Sequence, residues 1–468
     1  MDMRLKELFS ARDMTQGAPW QRILEFSIPM LLGNIAQQLY NTADSVIVGL
    51  YVGDNALAAV GSAGPILNLL LALFVGLATG AGIVVSQSFG ARDRQGLSCS
   101  IGNCISLTMA AAAVIMLVGP LITRPMLELL DTPASIINWC TDYLNIFFWG
   151  VAGFFFYNML SGILRGLGDS VSALGFLLLA AALNVVLDLV FVAKLGMGVP
   201  GVALATVIAQ GISAVFCFLK LLKMGDYFEL NLSTLRLNRQ MSMRIIRIGV
   251  PSGITQAIMS MSMMVVQSLT NSMGEMVIAA NVILMRVDGF AMMPNFSFGQ
   301  AMSVYAGQNV GAGKWDRVNQ GTKQGGLIAV SFAAIIVAVL LLFNTFLFGI
   351  FTQTEALIDL ASHMMNIMAV GYIAMSVTQV LGGVMRGCGD TVTPMWISMI
   401  TTLVLRIPVA YAMAALTRSE AWPHGHPFSL STSLLISWTA GMVLSLAFYC
   451  WGKARKAILR GMELQKGA

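Results

Sequence analysis

The chain has 468 residues, 57% hydrophobic and only 10% charged, whereas a water-soluble domain carries roughly 25% charged residues, so most of this chain belongs in lipid. A membrane-spanning helix needs about 20 apolar residues, which leaves room for about a dozen helices and none for a separate soluble domain. The net charge of +5 does not call for nucleic acid, because the basic residues lie in the tails and in alternate loops, as cytoplasmic segments require.

Met1 to Gln21 is polar and of mixed charge, without the short apolar core and cleavage site of a signal peptide. Hydropathy then predicts helices near 22–50, 55–87, 98–121, 139–163, 170–193 and 199–223, a polar linker over 224–243, and helices near 245–272, 276–308, 322–348, 358–384, 391–416 and 427–452. The expected division is a first lobe over 1–223, the linker, and a second lobe over 244–468. With both tails in the cytoplasm, only Arg124, Lys194 and Arg418 fall on the far side, and Arg286 and Arg406 fall inside spans. Trp20, Trp139, Trp315, Trp422 and Trp451 lie near predicted ends, where amphipathic rings favour the interface.

The second half repeats the first. Gly162 to Ser172 reads GILRGLGDSVS and Gly383 to Thr393 reads GVMRGCGDTVT, an offset of 221 with six identities in eleven positions. The same offset pairs the QSFGA beginning at Gln87 with the QNVGA beginning at Gln308, and Pro29 matches Pro251 within one residue. An even number of helices per copy returns the chain to its starting side. The expected fold is therefore all-α and integral to the membrane, with twelve helices in two six-helix lobes related by a pseudo-twofold axis along the membrane normal.

Enzyme signatures are scarce. The sequence has no G-x-x-x-x-G-K-[ST], no H-E-x-x-H and no G-x-S-x-G, so neither ATP-driven transport by this chain alone nor hydrolase chemistry is expected. The six cysteines are scattered, and His363, His424 and His426 form no ligand set, so no cofactor or structural metal is expected. Gly166 to Asp169 and Gly387 to Asp390 match the G-x-G-D of intramembrane aspartyl proteases. Both follow an Arg at a predicted cytoplasmic turn, where a glycine turn and an Asp capping the next helix explain them better.

Ionisable residues inside spans are costly and point to function. Here they are Asp44, Asp188, Asp288, Arg286 and Arg406, with Asp142 at a boundary. Asp44 and Asp188 each lie about six residues, or ~9 Å, from the outer end of their helices at 1.5 Å rise per residue. Asn184 is one turn from Asp188, Thr206 reaches a similar depth and Tyr143 is slightly shallower. These residues are expected to form one polar pocket in the first half. Arg286, Asp288 and Arg406 lie near the midplane of the second half and are expected to pair, since an isolated buried charge is expensive.

On Pro29, NTADSVIVG, QSFGA, QNVGAGKWDR, the paired R-G-x-G-D turns and N-V-V-L-D, the sequence resembles the multidrug and toxin extrusion (MATE) family over nearly its whole length. The resemblance implies two lobes that alternate between inward and outward openings. It also implies that Asp44, Asn184 and Asp188, with Tyr143 and Thr206, form the cation or proton site, with sodium ligated by Asp44, Asn184 and Asp188 if sodium is the coupling ion. Members that couple sodium through acids in the seventh and tenth helices differ from this chain, which offers Gln256 and the boundary Asp359. Gln256 is thus a polar-site candidate beside Arg286, Asp288 and Arg406.

The expected function is secondary antiport of cationic or amphipathic small molecules against protons or sodium, by a monomer in the cell membrane with both termini cytoplasmic. A lipid-linked or saccharide flippase is the alternative, and an intramembrane protease a remote one. The 32 methionines, clustered from Met259 to Met264 and at Met285, Met292 and Met293, suit a surface that repacks around varied ligands, or simply fill lipid-facing helices.

Overall fold

In lipid no water satisfies backbone N–H and C=O groups, so an apolar chain satisfies them within helices. The computed structural model describes residues 10–129, 132–420 and 422–466, and all their regular structure is helical. The start of the expected N-terminal tail, Met1 to Phe9, lies outside the described residues.

The helices of the first half are α1 (Pro19–Tyr51), α2 (Asp54–Gly90), α3 (Arg94–Leu129), α4 (Ile137–Trp149), α5 (Val151–Gly166), α6 (Ser170–Asp188, continued by a π turn over Leu189–Lys194) and α7 (Gly198–Leu222). The second half has α8 (Arg239–Ser272), α9 (Glu275–Gly311), α10 (Trp315–Gly349), α11 (Glu355–Ala369) and α12 (Gly371–Gly387). It continues with α13 (Val392–Met399, then a π turn over Ile400–Arg406), α14 (Ile407–Leu416), α15 (Phe428–Trp451) and α16 (Lys453–Lys466). Among the described residues nine helices are long and apolar enough to cross a membrane, or eleven when α4–α5 and α11–α12 each count as one bent span. Helix α1 adds the twelfth, a 33-residue helix made polar by Asn34, Gln37, Gln38, Asn41 and Asp44.

Both expected fourth-in-repeat helices are bent, by 53° between α4 and α5 and by 45° between α11 and α12. Each break has a glycine, Gly150 or Gly371, 221 residues apart. A Cβ on Gly150 would strike Val207 of α7, and one on Gly371 would lie 2.6 Å from the Trp438 ring of α15. At α14, Pro408 supplies no backbone N–H, and the π turn precedes it.

The chain forms two compact units. The first contains residues 10–13 and Ile28–Gly253, and the second Met14–Ser27 and 254–466. Measured against lobes of 1–223 and 244–468, Met14–Ser27 joins the second unit, while the linker and the start of α8 join the first. Hydrogen bonds show why. In the second unit Met14 N donates to Gln308 at 2.8 Å, and Arg317 donates to the carbonyls of Met14 and Gly17 at 3.2 and 2.9 Å. In the first, Arg244 donates to Gln87 at 2.6 Å and Asn238 N to Asn103 at 2.8 Å. The repeated Gln turns thus each hold the segment that leads into a first-in-repeat helix.

The two G-x-G-D turns are built alike. Gly168 and Gly389 have φ of +85° and +90°, the left-handed region that favours glycine. Asp169 then accepts from Ser172 N at 2.8 Å, and Asp390 from Thr393 N at 3.1 Å and Thr393 Oγ1 at 2.8 Å. Burial lifts the Asp169 carboxyl above its usual range, opposed by Ser172 and by Lys220 at 3.8 Å. Both acids are occupied as helix caps, which accounts for the protease-like motif structurally.

Helix seams rest on small residues. A Cβ on Gly162 of α5 would lie 2.8 Å from the Ala78 carbonyl of α2, and one on Gly383 of α12 would meet the Gly299 carbonyl of α9. Because backbone cannot yield as a flexible side chain does, Gly162→Val is expected to destabilise the folded protein by about 1–3 kcal/mol or to prevent folding. Thermal unfolding in detergent checks this, and an unchanged midpoint would contradict the seam.

Candidate functional site

Tyr40 and Asp44 are four residues apart on α1, and Asn184 and Asp188 four apart on α6, so each pair shares a helix face. The fold brings them together within the first unit, with Thr206 of α7 and Tyr143 of α4. Asn184 and Asp188 are 1% and 0% exposed, Tyr143 is buried, and Asp44 is half-buried. The amide of Asn184 is oriented by its neighbours. Its nitrogen donates to Asp188 Oδ2 at 2.7 Å and its oxygen accepts from Thr206 N at 3.1 Å.

The carboxyl groups of Asp44 and Asp188 lie within hydrogen-bonding range of each other. One oxygen on each, Oδ1, receives no donor from the protein. No basic side chain forms an ion pair with either acid among the described residues. An ionised carboxylate only accepts hydrogen bonds, so two of them in mutual contact lack a donor. A proton shared between them, or a small cation that binds oxygen, supplies what is missing. All the surrounding groups are oxygen donors or amide, suited to a hard cation. Among the described residues, no cluster of three or more His, Cys, Asp or Glu forms a metal site.

Tyr40 was not foreseen from the sequence. Its hydroxyl lies beside Thr206 and within electrostatic reach of both acids. The signal was present as the one-turn spacing of Tyr40 and Asp44. Asp142 is exposed at the start of α4 and stands apart.

In the second unit the expected trio is dispersed. Asp288 accepts from the Tyr372 hydroxyl at 2.6 Å, and no ion pair joins it to Arg286 or Arg406 among the described residues. Arg286, two residues from Asp288 and so on nearly the opposite face of α9, is exposed. Arg406 is within electrostatic reach of Asp288 but lines a separate cavity with Met263, Met285 and Met368, and its Nε is unpartnered. Gln256 is exposed, and Asp359 pairs with His363 at 3.3 Å. The methionines divide: Met261, Met263 and Met264 are exposed on α8, while Met364, Met365 and Met368 are core residues of the second unit.

The MatE family model matches residues 29–190 and 251–412, one copy in each half of the chain. The probable multidrug resistance protein YoeA of Bacillus subtilis is 27% identical over 429 residues, covering 89% of this chain and 92% of that protein. The probable multidrug resistance protein YpnP of the same organism is 29% identical over 406 residues, covering 86% and 91%. The crystal structure of MATE in the straight conformation superposes with a TM-score of 0.86 at 25% identity, covering 96% of this chain and 98% of that one.

The Asp288–Tyr372 bond gives a separate test. Removing the hydroxyl with Tyr372→Phe leaves a carboxylate in the protein interior one donor short, with an expected loss of about 1–3 kcal/mol. A lower thermal midpoint in detergent is the expected result, and an unchanged one would assign Asp288 another partner.

Proposed function

This chain belongs to the MatE family, and from that premise we propose that it is a secondary antiporter exporting cationic or amphipathic small molecules against an inward flow of protons. The observation that carries the proposal is the contact of Asp44 with Asp188 where neither has a basic partner. A proton taken up by this pair removes negative charge from the first unit. Release of the proton restores that charge, and with it an affinity for a cation. An ion and a substrate that favour opposite conformations can be exchanged through such a group. Asn184 positions Asp188, and Tyr40 and Thr206 complete the polar wall.

Sodium is the second reading, favoured by the unsatisfied Oδ1 atoms of both acids and the oxygen donors around them. The relatives named as multidrug resistance proteins support drug-like molecules as cargo. We further assign the chain to the cell membrane as a monomer, with the tails and the 224–243 linker cytoplasmic. The asymmetry of Lys and Arg supports that orientation.

The test is reconstitution into vesicles with an imposed proton or sodium gradient, following export of a cationic dye. Asp44→Asn and Asp188→Asn keep size and some hydrogen bonding but remove the titratable charge. Each is expected to lower gradient-driven export by about tenfold or more, the scale of a typical coupling free energy, with the fold retained. Wild-type export with unchanged ion dependence in both variants, alone and combined, would refute the proposal. Dependence on sodium alone would select the second reading.

Orientation is tested by impermeant maleimide on intact cells, in a background without native cysteines. Leu232→Cys, at a position 86% exposed in the linker, is expected to react only after the membrane is opened. Arg418→Cys should react from outside. The reverse pattern would invert the topology.

A further inference from the structure

A pocket holding about 630 Å³ of empty space, open solvent included, lies within the second unit, among α8, α12, α13 and α15. Its walls include Met259, Met375 and Trp438, its polar lining includes Gln379 and several Ser and Thr residues, and no acidic residue lines it. The guanidinium of Arg386, in the last turn of α12, reaches into this space. It makes no side-chain hydrogen bond or ion pair with any described residue. The acid nearest in sequence, Asp390, is committed to Thr393.

The repeat shows what is unusual here. In the first unit the equivalent Arg165 donates to Ser161 Oγ at 3.0 Å, with Tyr157 and Cys217 close by. At the offset of 221, Ser161 becomes Gly382, Tyr157 becomes Thr378 and Cys217 becomes Trp438. Loss of the serine side chain removes the internal partner of the arginine. Thr378 does not take its place: its hydroxyl donates to the Ala374 carbonyl at 3.0 Å, and no hydrogen bond joins it to Arg386. The second copy thus retains the cation of the turn but lacks the group that satisfies it.

We propose that this cavity is a binding site for the carboxylate of a small organic acid with an apolar body, held by Arg386. A guanidinium fork matches a carboxylate with two parallel N–H···O bonds. Arg386 is half-buried, so its charge is partly withdrawn from water, and an anionic ligand relieves that cost. Gln379 and the Trp438 indole N–H are further donors with no hydrogen bond to a described residue. The methionine and tryptophan walls accept the apolar body. Charge selects carboxylate over phosphate: a phosphate monoester carries about −1.5 to −2, more than one guanidinium neutralises.

The experiment uses the full chain in phosphatidylcholine nanodiscs, titrated calorimetrically with benzoate, benzylammonium and phenyl phosphate against empty nanodiscs. No ion gradient is applied, so the result is independent of the antiport reading. Saturable benzoate binding is expected, with none for benzylammonium and weaker binding for phenyl phosphate. Arg386→Gln should weaken benzoate by about tenfold or more, the scale of a lost charged hydrogen bond. Gly382→Ser is the second variant. A Cβ there lies 3.4 Å from Arg386 Nη1, an ordinary contact, so the serine fits and recreates the Arg165–Ser161 pairing. With the charge kept but internally satisfied, benzoate affinity should again fall by about tenfold. Absent benzoate binding, equal binding of benzylammonium, tighter phenyl phosphate, or benzoate affinity unchanged in Gly382→Ser would each overturn the proposal.

Discussion

Helices immersed in lipid gain no hydrophobic free energy by touching one another, because lipid tails are as apolar as leucine. What holds them is close packing and the few polar bonds between them. In this protein the packing is set by glycine. Gly162 and Gly82 bring α5 onto α2, and Gly383 and Gly299 bring α12 onto α9, close enough that a methyl group would meet backbone. The same residues fix where the R-G-x-G-D turns lie, since each turn directly follows its glycine-packed helix. The position of Arg165 and Arg386 is therefore a consequence of the seams.

Close packing also decides which polar groups can exist between helices. Excluding water means that each must find its partner in the protein. Asp288 finds Tyr372, Asp169 finds Ser172 and Lys220, and Arg165 finds Ser161. Several charged groups among the described residues do not fit this pattern. The acids of the first unit face each other with no donor on either Oδ1, and in the second unit the Nε of Arg406 is unpartnered and Arg386 faces a cavity lined by no acid. Where neighbours leave a charge incomplete, a mobile species can complete it.

The spans, their order and the duplication were readable in the sequence, because a bilayer demands long apolar runs and the repeat preserves its turns. The grouping of Asp44, Asn184, Asp188 and Thr206 was also readable, since helix rise converts span position into depth and a four-residue spacing into a shared face. Tyr40 escaped because a phenol on a polar first helix resembles an interfacial residue. The bends were hidden for another reason: Gly150 and Gly371 are two of 46 glycines, and only the side chains packed into them, Val207 and Trp438, distinguish them. Depth also misled for Asp288. It suggested an arginine partner, whereas the neutral Tyr372, 84 residues on, donates instead.

The two copies keep one scaffold and differ in where charge is left exposed to the interior. At offsets of 221 and 222, the residues matching Asp188 are Val409 and Ala410, and those matching Asp44 are Val265 and Val266. The second copy therefore lacks both acids. The first copy, conversely, keeps Ser161 against its arginine and has no free guanidinium there. A substitution at a seam would disrupt packing in either copy, whereas an exchange of Ser for Gly or Asp for Val beside it changes charge while the helix contact survives. Duplication thus frees polar positions to diverge, while Gly162 and Gly166 are kept as Gly383 and Gly387 where a Cβ would meet the facing helix. That asymmetry of constraint explains how one fold comes to hold an acidic site in one half and a basic cavity in the other.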